Sequence, residues 1–119
     1  MNVLKSAAIV VALGLPCLAF ADGSVTISSP ADGAKVGLTG TKLVYDVQPG
    51  AMGDHVHVYV DGEQAALLRQ LKGTYTLDKL SAGDHNVCIK VVDKGHTPTG
   101  TEKCVKMTAA ATAASTSSY

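Results

Sequence analysis

HVHVYVDG, residues 55–62, is the stretch that decides how this chain folds. Valine alternates there with another side chain at a period of two, which is the spacing of a β-strand. The three valines share one face, and the other face carries His55, His57 and Tyr59. The pattern predicts a half-buried strand with two imidazoles side by side on its solvated face. Two histidines in this arrangement suit a transition metal.

The N-terminal segment, residues 1–21, has the three parts of a secretory signal. Lys5 supplies the positive charge, residues 7–15 form an apolar run, and Ala19-Phe20-Ala21 is a small-x-small cleavage site. Pro16 breaks the apolar run well short of the roughly 20 residues that a membrane-spanning helix needs. We therefore predict cleavage after Ala21 and a periplasmic or secreted mature protein.

The three cysteines reduce to one pair after this cleavage. Cys17 is removed with the signal, and Pro16 before it argues against a lipoprotein, whose signal has a small residue there. Cys88 and Cys104 then remain in an oxidising compartment, where a disulfide is the default interpretation. A zinc site or a nucleophilic thiol is the weaker alternative. One disulfide would stabilise so small a domain by about 3 kcal/mol on a chain-entropy basis.

Charge and hydropathy restrict the classes of partner. The sequence has ten basic and ten acidic residues, with no basic run and no tryptophan. It therefore lacks the electrostatic footprint of a protein that binds nucleic acid. No second hydrophobic segment follows the signal, so we expect a mature protein that does not span a membrane. An envelope protein or a metal ion is the predicted partner, and the oligomeric state stays open.

Short strand-like segments recur along the mature chain, separated by Gly, Pro, Asp and Ser. The segment 64–71 has the Ala and Leu content of a helix, but its length and neighbours favour an edge strand. The predicted strands are residues 24–28, 42–47, 55–60, 64–71, 73–77, 86–93 and 102–108.

Seven strands in about 85 residues are typical of an immunoglobulin-like sandwich. The predicted fold is all-β: a seven-stranded immunoglobulin-like antiparallel β-sandwich with one cross-strand disulfide. This domain covers residues 22–108. The tail, residues 109–119, consists almost entirely of Ala, Ser and Thr and buries too little to order itself, so we expect it to be disordered.

Three segments of the chain carry a family resemblance. They contain turn residues beside core positions and read ISSPADGA (27–34), VYVDG (58–62) and LSAGDHNV (80–87). In these the chain resembles bacterial immunoglobulin-like and fibronectin-type-III-like modules of exported proteins. The resemblance implies a β-sandwich in the cell envelope and attaches no activity to it, since such modules serve many functions.

In that fold the histidine strand pairs with strand 86–93, which pairs in turn with strand 102–108. Alternate residues of these strands then face the core. They are Val56, Val58, Val60, Val87, Ile89, Val91, Val105 and Met107. The other parity places the two cysteines, Lys90 and Lys106 on the outer face with His55 and His57. Because both cysteines fall on one face, a disulfide between these strands is consistent with the register.

The fold also brings His96, in the loop after strand 86–93, towards His55 and His57. Three imidazoles with an open fourth position are a known plan for a metal site. Met52 could add a thioether, which would favour copper over zinc in an oxidising compartment. Asp54 and Asp93 are candidate oxygen ligands or partners that orient an imidazole.

Simpler interpretations stand beside this one. His55 and His57 could be ordinary solvated histidines, and Met52 could pack under the loop. His85, which follows the Gly83-Asp84 turn, is predicted to be structural, because related modules often place a histidine or aromatic residue at this corner to bond the preceding loop.

Three functions compete. The first is a non-enzymatic binding module of the cell envelope, which acts through the loop end of the sandwich. The second is a periplasmic copper carrier or sensor that uses His55, His57 and His96. The segment 92–100 is similar to the Asp-Gly-His-x-x-x-Gly segment of the copper-resistance C family, although Lys94 separates Asp93 from Gly95. That family also uses an N-terminal histidine, whereas the predicted mature chain begins at Asp22.

The third function is enzymatic. His55-Val56-His57 is similar to the His-x-His pair of copper/zinc superoxide dismutase, but four histidines are too few for a two-metal site. Arg69, the only arginine, is expected to lie too far away to guide an anionic substrate. No nucleophile-elbow motif occurs, and the glycines lie in turns rather than in a phosphate-binding loop. The prediction is a protein that binds rather than catalyses, with copper or zinc as the candidate metal.

Overall fold

A computed structural model of the chain describes residues 23–111. The predicted signal peptide and residues 112–119 of the predicted tail lie outside this range. Within it, the structure has no helix that is long and apolar enough to cross a membrane.

Strands build two packed sheets, as predicted for an all-β sandwich. The strands are β1 (Ser24–Ser29), β2 (Ala34–Val36), β3 (Lys42–Gln48), β4 (His55–Val60), β5 (Glu63–Leu68), β6 (Lys72–Thr76), β7 (Gly83–Val92) and β8 (Pro98–Ala109). One sheet has the order β1-β3-β6, and the other has the order β2-β8-β7-β4-β5. This is an immunoglobulin/fibronectin-type-III-like arrangement.

The prediction of seven strands misses one, because the described residues contain eight. The additional strand, β2, is only three residues long and pairs in parallel with the end of β8, at Ala34↔Met107 to Val36↔Ala109. The sandwich is therefore not wholly antiparallel. So short a strand carries too few residues to show a period-two pattern, and it is stabilised by a partner that is distant in sequence.

The hairpin β4–β5 shows how local sequence sets the neighbours of the histidine strand. Asp61 and Gly62 both adopt left-handed backbone conformations, with φ of 52° and 88°. These angles suit a two-residue hairpin turn whose twist matches that of its strands. The turn pairs Val60 with Glu63 and makes β5 the edge of its sheet, as predicted for this segment.

The core lies between the sheets and follows the predicted parity. Strand β4 pairs antiparallel with β7 from His55↔Val92 to Val60↔Val87, and β7 pairs with β8. The inward side chains of these three strands meet Leu43, Tyr45 and Val47 of β3 across the sandwich. The fully buried members from β4 and β7 are Val56, Val58, Val87, Ile89 and Val91, each 0% exposed. Val60 is partly buried against the same core.

Cys88 and Cys104 form the predicted disulfide on the outer face of the β7–β8 pair. They are direct cross-strand partners, so the bond ties two strands that are already in register. Strand β8 extends through Ala109, which is 2% exposed and lies one residue into the segment assigned to the tail.

The disulfide is expected to act mainly on the unfolded chain. The bond closes a loop with a sequence separation of 16 residues. Replacing both cysteines, as Cys88→Ala/Cys104→Ala, should lower the free energy of unfolding by about 3 kcal/mol. Urea denaturation of both proteins measures the difference. A change below about 1 kcal/mol would mean that the β7–β8 pairing already restricts the unfolded chain.

Candidate metal centre

Strand β4 carries two of the three candidate ligands, His55 and His57, at its N-terminal end. The outer-face parity of His55 and His57 is as predicted, but their predicted exposure to solvent is wrong. His55 is 0% exposed and His57 is 4% exposed. The reason is that the turn after β7 folds back over this end of the sheet and brings the His96 ring onto both imidazoles, at centroid distances of 4.7 and 5.3 Å.

Asp93 organises the turn that delivers His96. Its Oδ1 accepts hydrogen bonds from the backbone N–H groups of Gly95 and Thr97, at 2.8 and 3.0 Å. Its backbone N–H donates to the Thr97 carbonyl, and its carbonyl accepts from the His96 N–H, both at 2.9 Å. His96 sits in the left-handed region, with φ of 68°, which histidine adopts more readily than most residues. Asp93 therefore acts here as a turn former.

The three imidazoles converge on one point. His55 Nε2 lies 3.2 Å from His57 Nε2 and 3.1 Å from His96 Nδ1, and the latter two nitrogens are 3.2 Å apart. These residues form a group of ligand atoms that could hold a metal ion, with two buried members and one exposed member. The structure thus brings together the three histidines that the sequence selects.

Hydrogen bonds alone leave this nitrogen triangle incompletely satisfied. Each imidazole nitrogen offers either one N–H or one lone pair. Nδ1 of His55 donates to Asp54 Oδ2 at 2.9 Å, so Nε2 of a neutral His55 presents a lone pair to the centre. Each nitrogen of the triangle can therefore either donate or accept, so hydrogen bonds cannot form along all three sides at once. A cation at the centre could accept all three lone pairs.

Asp54 is the group that orients His55, and its setting differs from the prediction in one respect. The guanidinium Nη1 of Arg69 donates to the same Oδ2 atom, at 3.4 Å. Arg69 is therefore not distant, because the β4–β5 hairpin returns the chain to the start of β4. The pKa of Asp54 is lowered, first by the hydrogen bond from His55 and then by the charges near it, including Arg69 and Lys94.

The burial of His57 favours its neutral form. Its pKa lies below the ordinary value of 6.5, mainly because burial disfavours the imidazolium, with smaller contributions from His55 and His96. A neutral imidazole is the form that binds a metal. His57 is therefore available as a ligand at neutral pH.

Met52 precedes strand β4 and lines a cleft with Gly53, Asp54 and Asp93. Its side chain is 71% exposed, so it does not pack under the loop. Its role as a fourth ligand stays a prediction.

His85 lies at the opposite end of β7 and makes a separate corner. Its Nδ1 is 2.6 Å from Asp61 Oδ2, and its Nε2 is 2.7 Å from the Ser81 carbonyl oxygen. Both nitrogens face oxygen acceptors, an arrangement that favours the doubly protonated ring and raises the pKa of His85. These contacts link the ring to the preceding loop and to the Asp61-Gly62 turn, and the structural role of His85 stays a prediction.

Two features of the site escaped the sequence analysis. The approach of Arg69 to Asp54 could have been found from Asp61-Gly62, since a two-residue hairpin places residue 69 close to the first residues of β4. The turn-forming role of Asp93 has a weaker signal: an aspartate often bonds the backbone N–H two residues on, here that of Gly95, but aspartate is also a common metal ligand.

Comparison with solved structures supports the fold. Fibronectin(III)-like modules of Clostridium thermocellum CbhA align with a TM-score of 0.59 and 18% identity, over 71% of this chain and 94% of the module chain. An engineered protein aligns with a TM-score of 0.53 and 24% identity, over 89% of this chain and 22% of its own. At these identities the likeness shows the fold alone.

No protein-family model matches the chain. No curated protein matches it either. The similarity of segment 92–100 to copper-resistance C proteins therefore stays a prediction from the sequence.

The His85 corner predicts a pH-dependent contribution to stability. The pKa of His85 is raised above 6.5, first by the Ser81 carbonyl and then by Asp61, with Asp84 adding to the effect. The pKa of Asp61 is lowered below 3.8, first by the Asn86 N–H and then by His85. The contribution of His85 is fully present below pH 6.5 and is lost as the pH rises through its folded-state pKa. That of Asp61 is lost as the pH falls through its own lowered pKa.

Asp61→Asn tests this pairing, because asparagine tolerates the left-handed backbone and can still accept from the Asn86 N–H. We expect the variant to be less stable than the parent between these two pKa values. The difference should shrink as the pH rises through the raised pKa of His85, because the neutral ring no longer pairs with the carboxylate. Urea denaturation across this range gives the result, and a difference that stays constant with pH would contradict it.

Proposed function

We propose that this chain is an exported, non-enzymatic binding module whose ligand is a copper or zinc ion held by His55, His57 and His96. The observation that carries the proposal is the triangle of imidazole nitrogens, with sides of 3.1 to 3.2 Å. The disulfide supports export, because such bonds persist in oxidising compartments.

The dimensions of the triangle suit a metal ion. An ion about 2.05 Å from all three nitrogens, a usual zinc–imidazole distance, would lie roughly 0.9 Å outside their plane. The angles between its bonds would be about 100°, which is close to tetrahedral. Three protein ligands then occupy one side of the ion and leave the other side open.

The donor set selects the class of metal. Imidazole nitrogen suits copper and zinc, whereas magnesium and calcium prefer oxygen. Copper(II) forms more stable complexes than zinc with a given set of nitrogen donors. We therefore expect both metals to bind, copper(II) the more tightly. Met52 is close enough in the chain to be a candidate fourth ligand for reduced copper.

A binding role fits the centre better than a dismutase-like enzyme. His85, the fourth histidine of the chain, is engaged with Asp61 and Ser81 at the far end of β7. A second metal of the copper/zinc dismutase kind therefore lacks histidine ligands. Arg69 does lie near the centre, but it donates to Asp54, so its charge is partly compensated.

Titration with copper(II) and with zinc tests the proposal on the mature protein, residues 22–119. The parent should bind one equivalent of each metal. His57→Ala removes a direct ligand, so it should weaken binding by more than about 100-fold, the upper end of the loss caused by removing an outer hydrogen-bond partner of a ligand. His85→Asn is the matched control, since it removes a histidine that lies outside the triangle. Isothermal calorimetry with a competing chelator gives the affinities.

Binding that is weak in the parent would overturn the proposal. So would equal losses in His57→Ala and His85→Asn, because they would indicate adventitious binding at any histidine.

Asp54 should support the affinity through His55. The Asp54 carboxylate accepts from Nδ1–H of His55 and thereby makes the ring a more basic ligand. Asp54→Ala removes this acceptor, so the affinity for either metal should fall by about 10- to 100-fold. Asp54→Asn should lose less, because its amide oxygen can still accept. The control is Asp46→Asn, which alters an exposed pair with Lys72 on the other sheet. An unchanged affinity in Asp54→Ala would contradict the role of this carboxylate.

A further inference from the structure

We infer that the ion enters and leaves the centre by exchange at His96, and that Asp93 is the positioning residue that sets the rate of this step. The inference rests on the proposed metal-binding function and adds a mechanism of release to it. It follows from a difference between the three imidazoles in how the fold holds them.

Two of the imidazoles are held rigidly. His55 and His57 belong to β4, which is hydrogen-bonded to β5 on one side and to β7 on the other. Their exposed fractions are 0% and 4%, and Asp54 fixes the orientation of His55. Moving either ring would disturb the five-stranded sheet.

The third imidazole is held by a turn alone. His96 is exposed and lies between β7 and β8, outside both strands. Its contacts with the other rings are edge-on to His55 and stacked on His57. Withdrawal of His96 therefore requires no change in the sheet, and it opens the ion to solvent on the side where a competing ligand can approach.

Asp93 determines how firmly the turn holds the His96 imidazole against the other two rings. It makes two side-chain and two main-chain hydrogen bonds, and its carboxylate bonds the N–H groups on both sides of His96, those of Gly95 and Thr97. The carboxylate thereby holds the left-handed conformation that directs Nδ1 of His96 to the centre. Loss of these two bonds would free the turn, raise the rate at which His96 dissociates and leave the buried pair unchanged.

The test is the rate at which the protein releases copper(II) to excess chelator in stopped-flow experiments. We expect Asp93→Ala to speed release by about tenfold or more, the scale seen when outer partners of metal ligands are removed. Asp93→Asn should remain near the parent rate, because its amide oxygen can accept both N–H groups. Asp32→Ala is the matched control, since Asp32 Oδ1 accepts from the Lys106 N–H in a turn that does not hold His96.

A double-mutant cycle separates positioning from general destabilisation. His96→Asn keeps a residue that tolerates the left-handed backbone and removes the imidazole. If Asp93 acts through His96, Asp93→Ala should add nothing to the release rate of His96→Asn. Electron paramagnetic resonance of the copper(II) protein should show one fewer coordinated nitrogen in His96→Asn and a mixture of both states in Asp93→Ala.

The outcomes distinguish this inference from the function on which it rests. Failure of the parent to bind copper or zinc would overturn both. A parent that binds through His57, with Asp93→Ala releasing copper at the parent rate, would overturn the inference alone. Additive effects of Asp93→Ala and His96→Asn would also overturn it. Thermal unfolding of each apo variant shows whether the fold is retained. If Asp93→Ala unfolds, His96→Asn supplies the test: release of copper(II) at the parent rate would overturn exchange at His96.

Discussion

The pairing of β4 with β7 is the constraint on which the rest of the structure depends. It runs without a register shift from His55↔Val92 to Val60↔Val87. This one alignment places Val56, Val58, Val87 and Val91 in the core and leaves the two histidines on the outer face. It also ends β7 beside His55, so that the turn after Val92 begins where the site must form. A shift of one residue would reverse every face of β4 and bury the imidazoles in the core.

The site combines a rigid part with an adaptable part. The sheet supplies two imidazoles at little conformational cost, because β4 is ordered by its neighbours whether or not an ion is bound. The turn supplies the third imidazole from an exposed position. In the proposed metal site, such a division would allow high affinity together with exchange, since preorganised ligands bind tightly and a surface ligand can dissociate first. Asp54 and Asp93 support the two parts separately, one through a ring nitrogen and the other through the backbone.

Histidine takes two different chemical roles in this chain because of its surroundings. At the His85 corner each ring nitrogen faces an oxygen acceptor, so the pKa of His85 is raised and the ring links two turns. At the centre the pKa of His57 is lowered, first because burial disfavours a positive charge on this ring and then because of the neighbouring imidazoles. The surroundings of His85 favour the protonated ring. Those of His57 favour the neutral ring, whose lone pair can bind a cation.

The sequence by itself determined the all-β class, the core parity of β4, β7 and β8, the disulfide pair and the three candidate ligands. These follow from a period of two, from the parity of the cysteines and from the position of His96 after a strand, which are local properties. Tertiary structure alone decided that His55 and His57 are buried, and that the Asp93 carboxylate bonds the N–H groups on both sides of His96. It also decided the short parallel pairing of β2. Each of these features depends on where a hairpin or turn brings distant parts of the chain together. A shift of one residue in such a turn would change which side chains meet.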